Sequence, residues 1–275
     1  MTRSLQTGTN SPGRAKIEAR TLRTDNWRKA PVVTFVLLSA WVLYALIRTV
    51  WQAAYFDPKG HYLSPFYSPC VTASCNAGAR DFGTWFGHFP AIIPFAIVTL
   101  PFLLGFRLTC YYYRKAYYRS FWQSPPACGV AEPHSSYSGE TRFPLIIQNI
   151  HRYFWVAACI ISIVNTWDVI QAFRPAVGNT DNHQFGFGMG TIIMLINVIL
   201  LWTYTLSCHS CRHIIGGRLR NFSKHPLRYK AWSIVSKANT RHMELAWMTL
   251  GTLAFTDAYI ALVASGHLTD LRFVN

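Results

Sequence analysis

Five long apolar stretches, separated by polar and basic segments, constrain this 275-residue chain more than any other feature. They are PVVTFVLLSAWVLYALIRTVW from Pro31 to Trp51, FPAIIPFAIVTLPFLLGF from Phe89 to Phe106, and YFWVAACIISIVNTW from Tyr153, continuing past Asp168 to about Ala172. The fourth is FGFGMGTIIMLINVILLWTYTLSC from Phe185 to Cys208, which carries no charge, and the fifth covers roughly Leu245 to Ala264. A helix rising about 1.5 Å per residue needs roughly 20 residues to cross the hydrocarbon layer. Each stretch meets that length once frayed ends are allowed. The expected fold is therefore all-α, an integral membrane bundle of five transmembrane helices with spans at about 31–51, 89–108, 152–172, 185–208 and 243–264. The second span contains Pro90, Pro94 and Pro101 and is expected to be kinked, which membrane helices tolerate when neighbours satisfy the freed carbonyls.

Charge orients the bundle. Only 13% of the residues are charged, yet the net charge is +15. Residues 1–30 hold seven Lys or Arg, 107–152 hold six, and 209–241 hold eight with no acid among them. With five crossings these regions share one face, and the opposite face keeps only Lys59, Arg80, Arg174 and Arg272. The excess of Lys and Arg on cytoplasmic loops then puts the amino terminus in the cytoplasm and the carboxyl terminus outside. Residues 1–30 become a cytoplasmic arm, 31–264 the membrane domain and 265–275 an external tail. The arm lacks the apolar core and cleavage site of a signal peptide. Because the positive residues alternate with apolar runs, the charge speaks for lipid contact rather than nucleic acid. Seven cysteines are too few for a disulfide scaffold. Cys70 and Cys75, in PCVTASC on the long external loop, are expected to pair as a disulfide in preference to binding metal.

Chemistry gathers at the cytoplasmic end. Cys110, Cys128, Cys208 and Cys211 all fall there, as do His134, His151, His209, His213 and His242, whereas Cys159 sits mid-helix as a small core residue. Cys208 and Cys211 stand three apart in SCHSCRH, a spacing that turns two sulfurs to one side of a helix end. Thiolates bind iron and zinc, and imidazoles can complete the coordination. Two cysteines and two histidines around a two-iron cluster would raise its potential above that of an all-cysteine cluster. The competing arrangement is haem b, with His88 and His183 on the outer side and His151 paired with His209 or His242 on the inner side. Idle thiols and interfacial histidines are the plain alternative. The stretch RLTCYYYRKAYYRSFW, Arg107 to Trp122, reads as an aromatic and snorkelling belt or as part of a quinone pocket. Tyr112, Tyr113, Arg114, His151 and Arg152 are the candidates for that pocket. Asp168 and Asp257 lie towards the outer ends of the third and fifth spans, as members of a proton path or as hydrated caps.

LTCYYYRKAYYRSFW, PPACGVAEPHSSYSGETRFPLIIQNIHRYFW, SCHSCRH and ANTRHMELAW together resemble the membrane-anchor subunit of actinobacterial, mycobacterial-type succinate dehydrogenase, from about residue 30 onward. The resemblance implies a complex II subunit of the bacterial inner membrane, with flavoprotein and iron–sulfur partners on the cytoplasmic side, and with or without another small membrane subunit. It implies transfer of electrons to menaquinone or ubiquinone, with no succinate or flavin site in this chain. It also implies a Rieske-type 2Fe-2S cluster inside the membrane portion in place of haem. The ligand set that goes with it is Cys208, Cys211, His151 and His242, with Cys110, Cys128, His209 and His213 as substitutes. A dihaem anchor of a fumarate reductase and a secondary transporter are the alternatives, although the chain shows no internal repeat of the transporter kind.

Overall fold

The computed structural model describes residues 24–130, 145–175 and 184–274, and within them the chain is mostly helical. Four helices are long and apolar enough to cross a membrane. They are α1 (Lys29–Trp51), α4 (His151–Ala172, led in by a 3₁₀ turn), α5 (Met189–Leu206) and α8 (His242–Ala264). Shorter helices fill in between: α2 (Leu100–Leu108), α3 (Tyr111–Phe121), α6 (His209–Gly216) and α7 (Pro226–Thr240).

The stretch expected to form the second span is not one helix. Residues 90–93 form turns, a 3₁₀ helix covers Phe95–Val98, and α2 is only nine residues long. Proline has no N–H and pushes the residue before it away from helical geometry, so Pro90, Pro94 and Pro101 together break the segment. Short i→i+3 bonds take over, from Ile93 N to Pro90 O at 2.9 Å and Ile97 N to Pro94 O at 3.0 Å. The Phe95 N–H donates to Gln52 Oε1 at 3.3 Å. Pro31 does no such damage in α1, because it lies in the first turn, where backbone donors have no helical partner anyway.

Three further boundaries differ from expectation. Phe187–Gly188, placed in the fourth span, form strand β3 and pair antiparallel with β4 (Arg272–Val274) of the supposed tail. Cys208 stands outside α5, as the residue that opens α6. The basic stretch 209–241 folds into α6 and α7, with Pro226 in the first turn of α7.

The chain falls into two compact units, Met1–Ala40 with Leu108–Asn149, and Trp41–Arg107 with Ile150–Asn275. In the first, Phe35 and Phe121 meet edge to face at 4.7 Å. The second contains α4, α5 and α8, with α5 packed against both of the others. Above them the 52–88 loop folds into a cap. Its hairpin joins β1 (Phe56–Asp57) to β2 (Tyr62–Leu63), and the Gly60 N–H donates to Asp57 Oδ2 at 2.7 Å to close the turn. Cys70 and Cys75 form a disulfide in the cap, within a core of Tyr55, Phe66, Tyr67 and Phe95.

Seven consecutive residues, Tyr62 to Ser68, fasten this cap to the helices. Tyr62 donates to Asp270 Oδ2 at 2.7 Å, Ser64 to Asp257 Oδ1 at 2.5 Å, and Ser68 to Asp168. Asp257 is fully buried and also accepts from Arg48 Nε at 2.6 Å and Tyr44 at 2.5 Å, which joins α1 to α8. By contrast, the flank of α1 carrying Val32, Val36, Leu43 and Ile47 is about half exposed, as a lipid-facing surface would be.

Candidate metal and quinone site

α4 and α8 begin, and α5 ends, within one small region of the second unit. His151 and His242 are the first residues of α4 and α8, while Ser207 and Cys208 link α5 to α6. His151 Nε2 lies 3.1 Å from Cys208 Sγ, with both side chains buried. His242 Nδ1 lies 2.7 Å from Ser207 Oγ. With the Ser207 hydroxyl proton on the Tyr204 carbonyl at 2.8 Å, the Ser207 oxygen accepts from Nδ1–H of His242. In that arrangement the lone pair sits on Nε2, as outer partners impose on metal-binding histidines.

The linker is held from two further sides. Trp155 Nε1, on α4, donates to the Thr205 carbonyl at 2.9 Å, and Asn239 Nδ2, near the end of α7, donates to the Ser207 carbonyl at 2.8 Å. Rings cover the histidines. Phe106 stacks on His151 with centroids 5.2 Å apart, Tyr204 stacks on His242 at 4.8 Å, and Phe106 meets Tyr204 edge-on at 5.5 Å. Gly105 permits this approach, because a Cβ there would run into the ring of Phe154 on α4.

Cys211 is buried on α6, and burial pushes its thiol above the ordinary range. Among the substitutes, His209 is exposed yet within electrostatic reach of both His151 and His242. His213 is exposed too, its ring centroid 5.2 Å from that of His209 on one face of α6. Cys110 is buried and Cys128 exposed, both in the first unit.

No three His, Cys, Asp or Glu side chains among the described residues are gathered tightly enough to enclose a single metal ion. A two-iron cluster takes its protein ligands as two pairs rather than as three about one centre. The donor chemistry of His151, His242, Cys208 and Cys211 fits that group: two thiols and two imidazoles, all buried, from the starts of α4, α6 and α8. The hydroxyl oxygen of Thr205, beside this linker, is buried and has no partner among the described residues.

A small apolar cavity of about 30 Å³, open on one side, adjoins the stacked rings. Its walls include Trp41, Phe66, Leu104, Leu201 and Leu253, and it reaches Phe106, Tyr204 and Arg107. Nearly every lining group is apolar, and the guanidinium of Arg107 is the charged one.

The other sequence candidates are spread out. Tyr112, Tyr113 and Arg114 belong to α3 in the first unit, where Tyr113 is buried and Arg114 lies over the Tyr111 ring at 4.7 Å. Arg152 is exposed beside Tyr153 in the second unit. His88 is exposed outside any helix, and His183, like His134, falls outside the described residues. Asp257 is locked in the Arg48 network, whereas Asp168 has the Ser68 hydroxyl as its partner.

Sequence reasoning missed Ser207, Phe106, Tyr204 and Arg107. A serine immediately before the first cysteine of SCHSC was the available signal for Ser207. Arg107 heads the stretch RLTCYYYRKAYYRSFW, read as a belt or part of a quinone pocket, and nothing in the apolar pattern shows that it turns inward.

The family model for actinobacterial succinate dehydrogenase subunit SdhC matches residues 29–266. Among solved structures, a chain described as the Mycobacterium smegmatis Sdh1 complex in the apo form is 62% identical and superposes with a TM-score of 0.90. The match covers 98% of this chain and 100% of that one. No curated protein sequence matches.

Proposed function

The chain belongs to the actinobacterial succinate dehydrogenase SdhC family, and from that premise we propose that its buried Cys/His site is an electron-transfer centre serving a quinone. It is the membrane-anchor subunit of a succinate dehydrogenase, part of an oxidoreductase complex whose other subunits are its partners. The haem and transporter alternatives are not favoured.

In this reading Cys208, Cys211, His151 and His242 hold a Rieske-type 2Fe-2S cluster. Such a cluster supplies one-electron transfer at a potential above that of all-cysteine clusters. The observation that carries the reading is the 3.1 Å contact of buried His151 with buried Cys208, next to the Ser207 that orients His242. The chain's own residues supply the rest. Ser207 sets the tautomer of His242, Phe106 and Tyr204 exclude water from the imidazoles, and Trp155 and Asn239 hold the linker carrying Cys208.

The apolar walls beside Phe106 and Tyr204 suit a hydrophobic quinone better than a charged metabolite, and the cavity of about 30 Å³ between them would have to widen to admit the ring. Of the sequence candidates for quinone contact, Arg152 belongs to the same unit as this cavity, and Tyr112, Tyr113 and Arg114 to the other. Succinate and flavin chemistry belongs to the partner subunits. The basic arm and the 209–241 helices face them from the cytoplasm of a bacterial inner membrane, with five crossings in which the broken 89–108 segment makes the second. Non-helical backbone at that depth is tolerated where protein surrounds it, and Phe95, Ala96 and Thr99 are buried.

The test is the whole complex carrying Cys208→Ser, followed by low-temperature EPR after controlled reduction. The expected result is loss or gross alteration of a Rieske-like signal, with the flavin content of the complex retained. A full, unchanged cluster signal would remove Cys208 from the ligand set.

A further inference from the structure

Arg107 lies in the last turn of α2, yet the residue is only 9% exposed and its side chain turns towards α8. Its Nη2 donates to Thr249 Oγ1 at 3.1 Å and its Nη1 to the Ala246 carbonyl at 3.4 Å. The Thr249 hydroxyl gives its own proton to the same Ala246 carbonyl at 3.0 Å, so its oxygen is left to accept from the guanidinium. Ala246 and Thr249 follow His242 by four and seven residues, which puts all three on one face of α8. The guanidinium also lies over the Tyr204 ring, 5.0 Å from its centroid, and that ring is the one stacked on His242. One arginine therefore grips the helix face that presents His242 and shares an aromatic neighbour with its imidazole.

We propose that Arg107 is a positioning residue that sets the electron affinity of the Cys/His site, by clamping the Tyr204–His242 stack and holding a fixed positive charge beside it. This rests on the reading that the site holds a two-iron cluster. Arginine remains protonated at any working pH, and its planar fork suits two acceptors and a ring face at once. An electron added to the site brings negative charge into a region where few groups screen it, so a nearby cation favours the reduced state. Lysine at this position would keep the charge and lose both the fork and the flat stacking surface.

An EPR-monitored redox titration of the purified complex tests this at constant pH. Arg107→Gln is expected to keep the cluster signal while the ratio of reduced to oxidised centre, at the wild-type midpoint, falls about tenfold, a downward shift of about 59 mV for one electron. Arg107→Lys should recover part of that loss. Thr249→Val, which removes one acceptor and keeps the cation, should shift the midpoint by less. A residue needed only for folding gives another pattern, in which the signal weakens in all three variants while the remaining centre titrates at the wild-type potential. That pattern overturns the proposal, as does an unshifted midpoint at full signal. If Arg107→Gln assembles no cluster, the Arg107→Lys and Thr249→Val midpoints decide by the same criterion. Absence of any two-iron signal from the wild-type complex would instead defeat the cluster reading itself.

Discussion

Ser207 has a single hydroxyl proton, and the direction in which it points decides which nitrogen of His242 offers a lone pair. This is structural information carried by one small residue that a hydropathy profile passes over. The same precision appears in the cap, where Tyr62 and Tyr67 lie almost wholly buried. Burial pushes both phenols up to about 12, and the contact with Asp270 adds to the effect for Tyr62. An acid whose folded pKa lies above its unfolded value stabilises the fold fully below the unfolded value, and loses that contribution as pH climbs towards the folded one. The window here runs from about 10, where an ordinary tyrosine ionises, to about 12. Alkaline difference spectra of wild type against Tyr62→Phe and against Tyr67→Phe should show the missing phenolate appearing only towards pH 12. A phenolate that disappears from the titration near pH 10 would mean the cap is open in solution.

At the scale of elements, the long helices were legible because a run of apolar residues of bilayer length permits few other folds. The boundaries of α1, α4 and α8 fall within two or three residues of those read from the sequence. The failures have particular causes. Three prolines within twelve residues interrupt 89–108 more thoroughly than a kink, and a hydropathy sum is blind to missing N–H donors. The helices α6 and α7 were hidden because a strongly basic sequence reads as loop until its partners are known. One such partnership is Arg228, whose Nε donates to the Ile215 carbonyl at 2.8 Å and ties the end of α6 to α7. For the site, Cys208, His151 and His242 could be grouped from helix ends alone, whereas the stacking rings and Arg107 depend on how α2 turns.

The Arg48–Asp257 pair belongs to this scale too, since it fastens α1 to α8 with both side chains buried. Breaking such a pair leaves one charge uncompensated, at a cost of about 3–5 kcal/mol. Asp257→Asn is therefore expected to lower the thermal stability of the purified complex clearly, and Ser64→Ala to lower it far less. Equal stability of Asp257→Asn and wild type would show that the ion pair holds nothing together.

At the scale of the whole molecule, the second unit carries the disulfide-bearing cap at one end of α4, where Ser68 meets Asp168, and the Cys/His site at the other. The proposed orientation rests on charge asymmetry alone, and labelling checks it. A membrane-impermeant maleimide added to intact cells should modify Lys59→Cys, in the cap, and leave Lys230→Cys, in α7, untouched until the membrane is opened. The reverse pattern would invert the topology and put the docking face outside.

The central claim is that the buried cysteines and histidines hold a two-iron cluster. It is tested most directly by optical and low-temperature EPR spectra recorded on the same purified wild-type complex after stepwise reduction. The account predicts a Rieske-like two-iron signal attributable to this subunit, without b-type haem absorption. Haem bands without that signal would contradict it, leaving Cys208 and Cys211 as structural thiols and moving the electron path to the histidines.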